Sequence, residues 1–366
     1  MSRFRFELAT EADDADLRLV LRETPMEGRI RIAFEREPSW FAAAVVDGDE
    51  RQVVACREVD SGRIIGFGCR SLRRVYVDGR PQCVGYLSGL RVLPAFRKRG
   101  LVARGYAYFR QLHADARTPY YLTTIAEGNA PALNTLTSAR AGLPRYAPAG
   151  KYHTLAIPCV TRRRAVNCVI RPATHQDLPA VFELLHQDGA CRQFFPVIGA
   201  QDFGPAGMLR GLNTENLLVA EQAGSIVGLV GVWDQHAFKQ SVVISYRGVL
   251  NWTRRPINFW ARLRSHPQLP AIGQPFRFLA AALTVVRNDS PHTFEALLHA
   301  AAQPSPNGLN SHLLVGLHER DPLLPVAKRM AVACYTTQLY VVGWDDDELA
   351  RALSSERVPY LELGTL

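Results

Sequence analysis

The feature that most constrains this chain is a faint internal duplication. Gly62-Arg63-Ile64-Ile65-Gly66 lies over Gly224-Ser225-Ile226-Val227-Gly228 at an offset of 162 residues. In each case two short apolar runs flank a glycine turn, at 53–56 and 64–67 in one half and at 217–220 and 226–229 in the other. That pattern is hairpin chemistry. Ahead of each hairpin the same order recurs: an extended run (4–10 and 169–174), then an amphipathic one (16–21 and 177–185) with an aspartate near its start. Both read as strand, turn, helix, the aspartate favourably placed against the helix dipole. Two unrelated hairpins would not share this flanking order. At about 150 residues per domain, a chain of 366 holds two such units. Expected are a first unit over 1–158, a linker over 159–167 containing the basic run 161–165, and a second unit over 168–366. The stretch 235–275, rich in arginine and proline with Trp252 and Trp260, reads as an insertion with a short helix near 257–264.

Composition excludes several classes. Apolar residues make up 47% and charged residues 21%, the balance of a folded globular chain. No apolar run reaches the roughly 18 residues of a membrane span, and the first residues have no signal-peptide core. A cytoplasmic protein with no membrane partner is expected. The seven cysteines contain no Cys-x-x-Cys, favouring unpaired thiols in a reducing compartment. The ten histidines form no cluster at ligand spacing, so no metal is expected. The net charge is +9, with the excess between Arg70 and Arg117, where 11 basic residues face two acidic ones. Such a stretch attracts phosphate, on a nucleic acid or on a small cofactor.

The segment that carries chemistry is Gly85-Tyr86-Leu87-Ser88-Gly89-Leu90-Arg91-Val92-Leu93-Pro94-Ala95-Phe96-Arg97-Lys98-Arg99-Gly100-Leu101-Val102. It alternates like a strand to Val92, and Pro94 ends the strand because proline cannot donate to a ladder. From Leu101, apolar residues recur at helical spacing. Strand, basic turn with one glycine, then helix aims unpaired N–H groups at one point, where the helix dipole also favours anions. Arg97, Lys98 and Arg99 add formal charge, and a pyrophosphate suits such a site. Nucleic-acid binding is the rival reading of the cations, but they concentrate at one helix start and no reader motif accompanies them.

Here the chain resembles the GNAT acetyltransferase superfamily. The family motif Arg/Gln-x-x-Gly-x-Gly/Ala is matched by Arg97-Lys98-Arg99-Gly100-Leu101-Val102, except that Val102 stands where Gly or Ala is usual. Downstream, Tyr121-Leu122-Thr123-Thr124-Ile125-Ala126-Glu127-Gly128-Asn129 resembles the next family strand and its asparagine-capped helix, Asn129 being the N-cap that in the family contacts the cofactor arm. The resemblance implies an α/β (α+β) fold of two tandem GNAT-like domains. Each is a mixed, mostly antiparallel sheet flanked by helices, with one splayed strand pair. It implies acyl-CoA, acetyl-CoA first of all, held by Leu90, Arg91, Val92, Arg97, Lys98, Arg99, Gly100, Leu101, Val102 and Asn129. A backbone N–H near 90–92 would polarise the thioester carbonyl. The acyl group would pass by direct attack to a primary amine of a small molecule or peptide; an oligomer is compatible with this.

The tyrosine that commonly protonates the leaving thiolate is absent: the family pattern predicts it at position 136, where Leu136 stands. Candidates for the base that deprotonates the amine are Glu127 at the end of its strand, Ser88 within the other, and the terminal carboxylate of Leu366, as in some tandem family members. His113 and His153 read as structural. The second half has no glycine turn or cation run at 287–292, and Asp289 would repel a phosphate, so that half is expected to be degenerate and to shape the acceptor pocket. A non-catalytic CoA-binding module is the alternative that Leu136 leaves open.

Overall fold

The computed structural model describes residues 2–138, 140, 142–160, 168–263, 267–304 and 310–366. The basic run 161–165 read as a linker, and Arg264 at the expected end of the insertion helix, lie outside them. The first half runs β1 (Phe4–Leu8), α1 (Asp14–Glu23), β2 (Ile30–Glu35), α2 (Trp40–Ala44), β3 (Glu50–Glu58), β4 (Ile64–Val77), β5 (Arg80–Val92), α3 (Leu101–His113), β6 (Tyr121–Ala126), α4 (Ala130–Leu136) and β7 (Arg145–Pro158). The second runs β8 (Val169–Pro172), α5 (Leu178–Gln187), β9 (Leu217–Gln222), β10 (Ser225–Trp233), β11 (Gln240–Tyr246), α6 (Val249–Leu263), β12 (Pro275–Phe276), β13 (Phe278–Val286), α7 (Pro291–Ala301), β14 (His312–His318), α8 (Leu324–Met330), β15 (Ala333–Gly343) and α9 (Asp346–Leu353).

The two halves share a common order of elements, β1-α1-β3-β4-β5-α3-β6-α4-β7 in the first and β8-α5-β9-β10-β13-α7-β14-α8-β15 in the second. α1 buries Leu17, Val20 and Leu21, and α5 buries Val181, Leu184 and Leu185, both at i, i+3, i+4. Each of these helices is entered through a Thr-x-x-Asp turn. The Asp13 carboxylate accepts from Thr10 N at 2.9 Å, and that of Asp177 from Thr174 N at 2.7 Å. Each aspartate is also gripped by an arginine from the sheet, Arg57 at 2.6 Å and Arg171 at 2.7 Å. The recurring turn supports duplication.

One mixed, mostly antiparallel sheet of twelve strands spans the two halves, in the order β1-β3-β4-β5-β6-β15-β7-β14-β13-β10-β9-β8. The halves trade their last strands. β15 pairs with β6 of the first half, β7 pairs with β14 of the second, and β7 and β15 pair with each other from Ala333↔Ala156 to Gly343↔Arg145. α3 packs on one face of the first half, where Leu87, Tyr106, Phe109, Tyr121 and Ile125 share a core. α1 and α2 pack on the other, against Phe67 and Cys69. No cysteine among the described residues is paired.

Two expectations are corrected. The insertion is not irregular with a short helix: β11 and β12 form a separate small sheet with β2 of the first half, and α6 starts at Val249, eight residues ahead of the expected Ile257. The C-terminal run 358–363, whose residues read as a strand, is not one; it makes one bridge, Gln193↔Pro359, and ends in a 3-10 turn. Trp40 and Trp233 are core residues.

Candidate functional site

β5 and β6 run parallel and part company. Their ladder holds only Gly85↔Tyr121 and Tyr86↔Leu122. At the fork Thr123 Oγ1 donates to Leu87 O at 2.7 Å and the hydroxyls of Tyr86 and Thr124 meet at 3.2 Å. Past that point the two strands hold no ladder pair, and each is paired only on its far side, β5 with β4 and β6 with β15. The bend of β5 has a local cause. A bulge opposite Phe67 and Cys69 places Gly89 at φ +64°, and a Cβ there would sit 3.2 Å from Cys69 Sγ. Beyond the bulge Leu93 N–H is donated to Ile65 O at 2.9 Å, so strand alternation turns Val92 N–H and Leu90 N–H toward the gap.

The basic turn lies at the mouth of this gap. Pro94–Phe96 form a 3-10 turn, Lys98 adopts φ +62°, and Gly100 adopts φ +70° as the N-cap of α3. Space around Gly100 is open: a Cβ there would meet nothing within 4 Å. Arg97, Lys98 and Arg99 are exposed, Arg97 leaning back on Val92 O at 3.2 Å. Leu90, Arg91, Val92, Leu101 and Val102 line a cavity under α3 together with Tyr106. Burial pushes the Arg91 pKa down, and its Nε has no partner. A buried donor without an acceptor, beside an open turn of N–H groups, suits a polar, anionic ligand threaded into the gap.

Four other cations of the basic stretch serve the fold. Arg70 is buried and bidentate to Asp115 at 2.8 Å, and it also holds Tyr121 Oη at 3.0 Å. Arg73 is buried, Arg104 binds Phe4 O, and Arg117 pairs with Glu50. Asn129 caps α4, accepting from Ala132 N at 3.3 Å. Glu127 does not face the gap. Its carboxylate reaches across β15 to Lys151 of β7 at 2.7 Å, an exposed pair. Ser88 shares the parity of Tyr86 and lies on the face away from α3. Leu136 is buried in the α3 core, where Tyr146 bonds instead to Tyr106. His113 is held by Tyr121 Oη and Trp344, and His153 by Thr336.

The C-terminal tail crosses from the second half to the first. Tyr152 Oη donates to Leu361 O at 2.6 Å, and Arg73 donates to Thr365 O at 2.6 Å and Thr365 Oγ1 at 2.8 Å. Lys239, its pKa pushed down to about 8 by burial, donates to Leu366 O at 2.9 Å. Leu366 packs against the cluster containing Tyr86 and Leu122, directly behind the fork. On its way the same tail plugs the corresponding place in the second half. β13 pairs with β14 only from Phe278 to Ala280 and then bulges at Leu283, φ +50°. There Leu283 N donates to Glu362 Oε2 at 2.8 Å and Thr284 N to Tyr360 Oη at 3.3 Å. The turn that follows carries Asp289, neutralised by Arg192 at 2.5 Å.

Among known proteins, residues 16–138 match the model of the acetyltransferase (GNAT) family. No curated protein sequence matches the chain. Solved structures similar to it include Saccharomyces cerevisiae N-myristoyltransferase with bound myristoyl-CoA, at 11% identity and TM-score 0.60, covering 93% of this chain and 83% of that one. A GCN5-related N-acetyltransferase from Sphaerobacter thermophilus matches at 15% identity and TM-score 0.53 over 100% and 99%. A glucosamine N-acetyltransferase region in a fungal multi-domain GH3 β-N-acetylglucosaminidase matches at 12% and 0.59, over 94% and 38%. The chain thus carries a GNAT-family acetyltransferase domain at residues 16–138, within a fold that GNAT proteins share over its whole length.

Proposed function

We propose that the protein is an N-acyltransferase that moves a short acyl group, acetyl in the first instance, from acyl-CoA to a primary amine. The observation that carries this is the gap between β5 and β6, flanked by the N–H groups of Leu90 and Val92 and opening onto the cationic turn. In this reading the turn 97–102 holds the pyrophosphate, Asn129 borders the pantetheine arm, and the thioester carbonyl points at Val92 N–H. The amine attacks the carbonyl carbon from the face opposite α3, the tetrahedral oxyanion is stabilised by that N–H, and the C–S bond breaks to release CoA thiolate. The hydrogen bonds that close the fork favour a short acyl group. The domain limits 1–158 and 168–366 belong to the same proposal, the second half serving as wall and plug.

Of the three candidate bases, Ser88 and Leu366 belong to the acceptor side, the Leu366 side chain packing against the cluster of Tyr86 and Leu122 with Lys239 on its oxygen, whereas Glu127 turns away to Lys151. Extending the C-terminus by two glycines should lower kcat about a hundredfold with little change in KM for acetyl-CoA, since a positioned base contributes roughly 10²–10⁴-fold. Following CoA release with acetyl-CoA and a panel of small and peptide amines tests the activity itself. Tight CoA binding with no acyl transfer to any amine favours the second reading, a non-catalytic CoA-binding protein, to which the buried Leu136 points.

A further inference from the structure

α6 is built inside out. Its polar side holds it to the protein: Asn258 exchanges hydrogen bonds with Leu269 N and O, both at 2.8 Å, and Arg254 donates to Pro270 O at 3.3 Å. The Arg254 guanidinium also lies 5.7 Å from the Tyr246 ring centroid. The outward side is apolar. Val249 is 77% exposed, Trp252 83%, Phe259 59%, Trp260 58% and Leu263 62%, and none of the helix is buried. At 3.6 residues per turn these five fall within one arc of about 100°. Ile272, on the loop that follows, is 58% exposed. An amphipathic helix of a globular protein turns such an arc inward; this one leaves it outside.

Charge identifies what covers it. The stretch 235–288 contains eight Lys and Arg and no Asp or Glu. Arg255 and Arg262, both exposed, stand beside the aromatic arc. A two-fold contact with a second copy would bring like arginines together. Aromatic rings with leucine on one face and arginines at its edge are the composition of a helix lying in a membrane interface. With 15 residues, α6 is about 22 Å long, short of a bilayer core of about 30 Å. Among the described residues no helix is long and apolar enough to cross a membrane.

We propose that α6 docks the protein peripherally on an anionic lipid surface, with Trp252, Phe259, Trp260 and Leu263 at the acyl–headgroup boundary and Arg255 and Arg262 on lipid phosphates. This departs from the sequence-based expectation of no membrane partner. The test is co-sedimentation of the full chain with phosphatidylcholine vesicles and with vesicles containing one-third phosphatidylglycerol, at low and high salt. The expected result is binding to the anionic vesicles, weakened by salt. R255Q/R262Q lowers partitioning by about 25-fold, at about fivefold for each arginine, and W252A/F259A/W260A abolishes it. Far-UV circular dichroism and the thermal melt stay unchanged in both variants, because the altered side chains are exposed. The proposal is overturned if the wild type ignores anionic vesicles at low salt, or if both variants bind as it does. It is equally overturned if the wild type is a dimer that W252A/F259A/W260A makes monomeric, for then a second copy covers the helix.

Discussion

Eleven basic residues between Arg70 and Arg117 look alike in the sequence, yet they do different work. Arg70 and Arg73 are internal struts, Arg117 is half of a surface ion pair, and Arg97, Lys98 and Arg99 are the exposed cations of the open turn. Charge reversal should separate them. R97E is expected to weaken acetyl-CoA binding by about tenfold or more in calorimetry, the loss of one charge-assisted phosphate contact with repulsion added. R117E, which breaks only the exposed pair with Glu50, should change it by less than about twofold. G100E should abolish binding, since it puts a carboxylate at the anion site and strains a left-handed position. Equal effects of R97E and R117E would show that general attraction, not the turn, binds the ligand. Glu127 illustrates the opposite failure: its place at the end of β6 was legible, but its direction was set by Lys151, distant in sequence.

At the scale of elements, the two Thr-x-x-Asp turns join strand to helix through the same contacts. Hydrogen bonds from Arg171, then from Thr174 N–H and hydroxyl, hold the Asp177 carboxyl well below the usual carboxylate range. A depressed carboxylate stabilises the fold above its unfolded pKa of about 4 and loses that contribution as pH falls below it. D177N should therefore cost about 1 kcal/mol at pH 7, a modest value because Arg171 is partly exposed. In urea melts that difference should shrink toward pH 3; a constant difference would assign the effect to packing. The helices were readable because three buried residues at i, i+3, i+4 mark a face. In α6 the apolar arc is exposed, so its periodicity marks a helix but points to no core face.

For the whole molecule, exchange of β7 and β15 makes the halves interdependent. Residues 1–158 alone leave β6 without β15, and β7 without both of its neighbours β14 and β15. That fragment should be insoluble or molten when expressed alone, while co-expression with 168–366 restores soluble protein, as seen by size-exclusion chromatography and a single cooperative melt. A folded, monomeric 1–158 would show that the exchanged strands are dispensable. The continuous sheet also carries the tail past the plugged second gap to the fork of the open one, so one segment closes one site and borders the other.

The duplicated order of strands and helices, the basic turn after β5 and the N-cap at Asn129 were determined by the sequence itself, because each rests on contacts within a few residues: periodic burial, proline and glycine backbone limits, a side chain capping its own helix. Tertiary structure alone decided which strands neighbour each other, which arginines face water, where Leu366 comes to rest and what fills the second gap. Those outcomes depend on pairs hundreds of residues apart, such as Arg73 with Thr365 and β6 with β15, and no local pattern encodes a partner that only the folded sheet brings near.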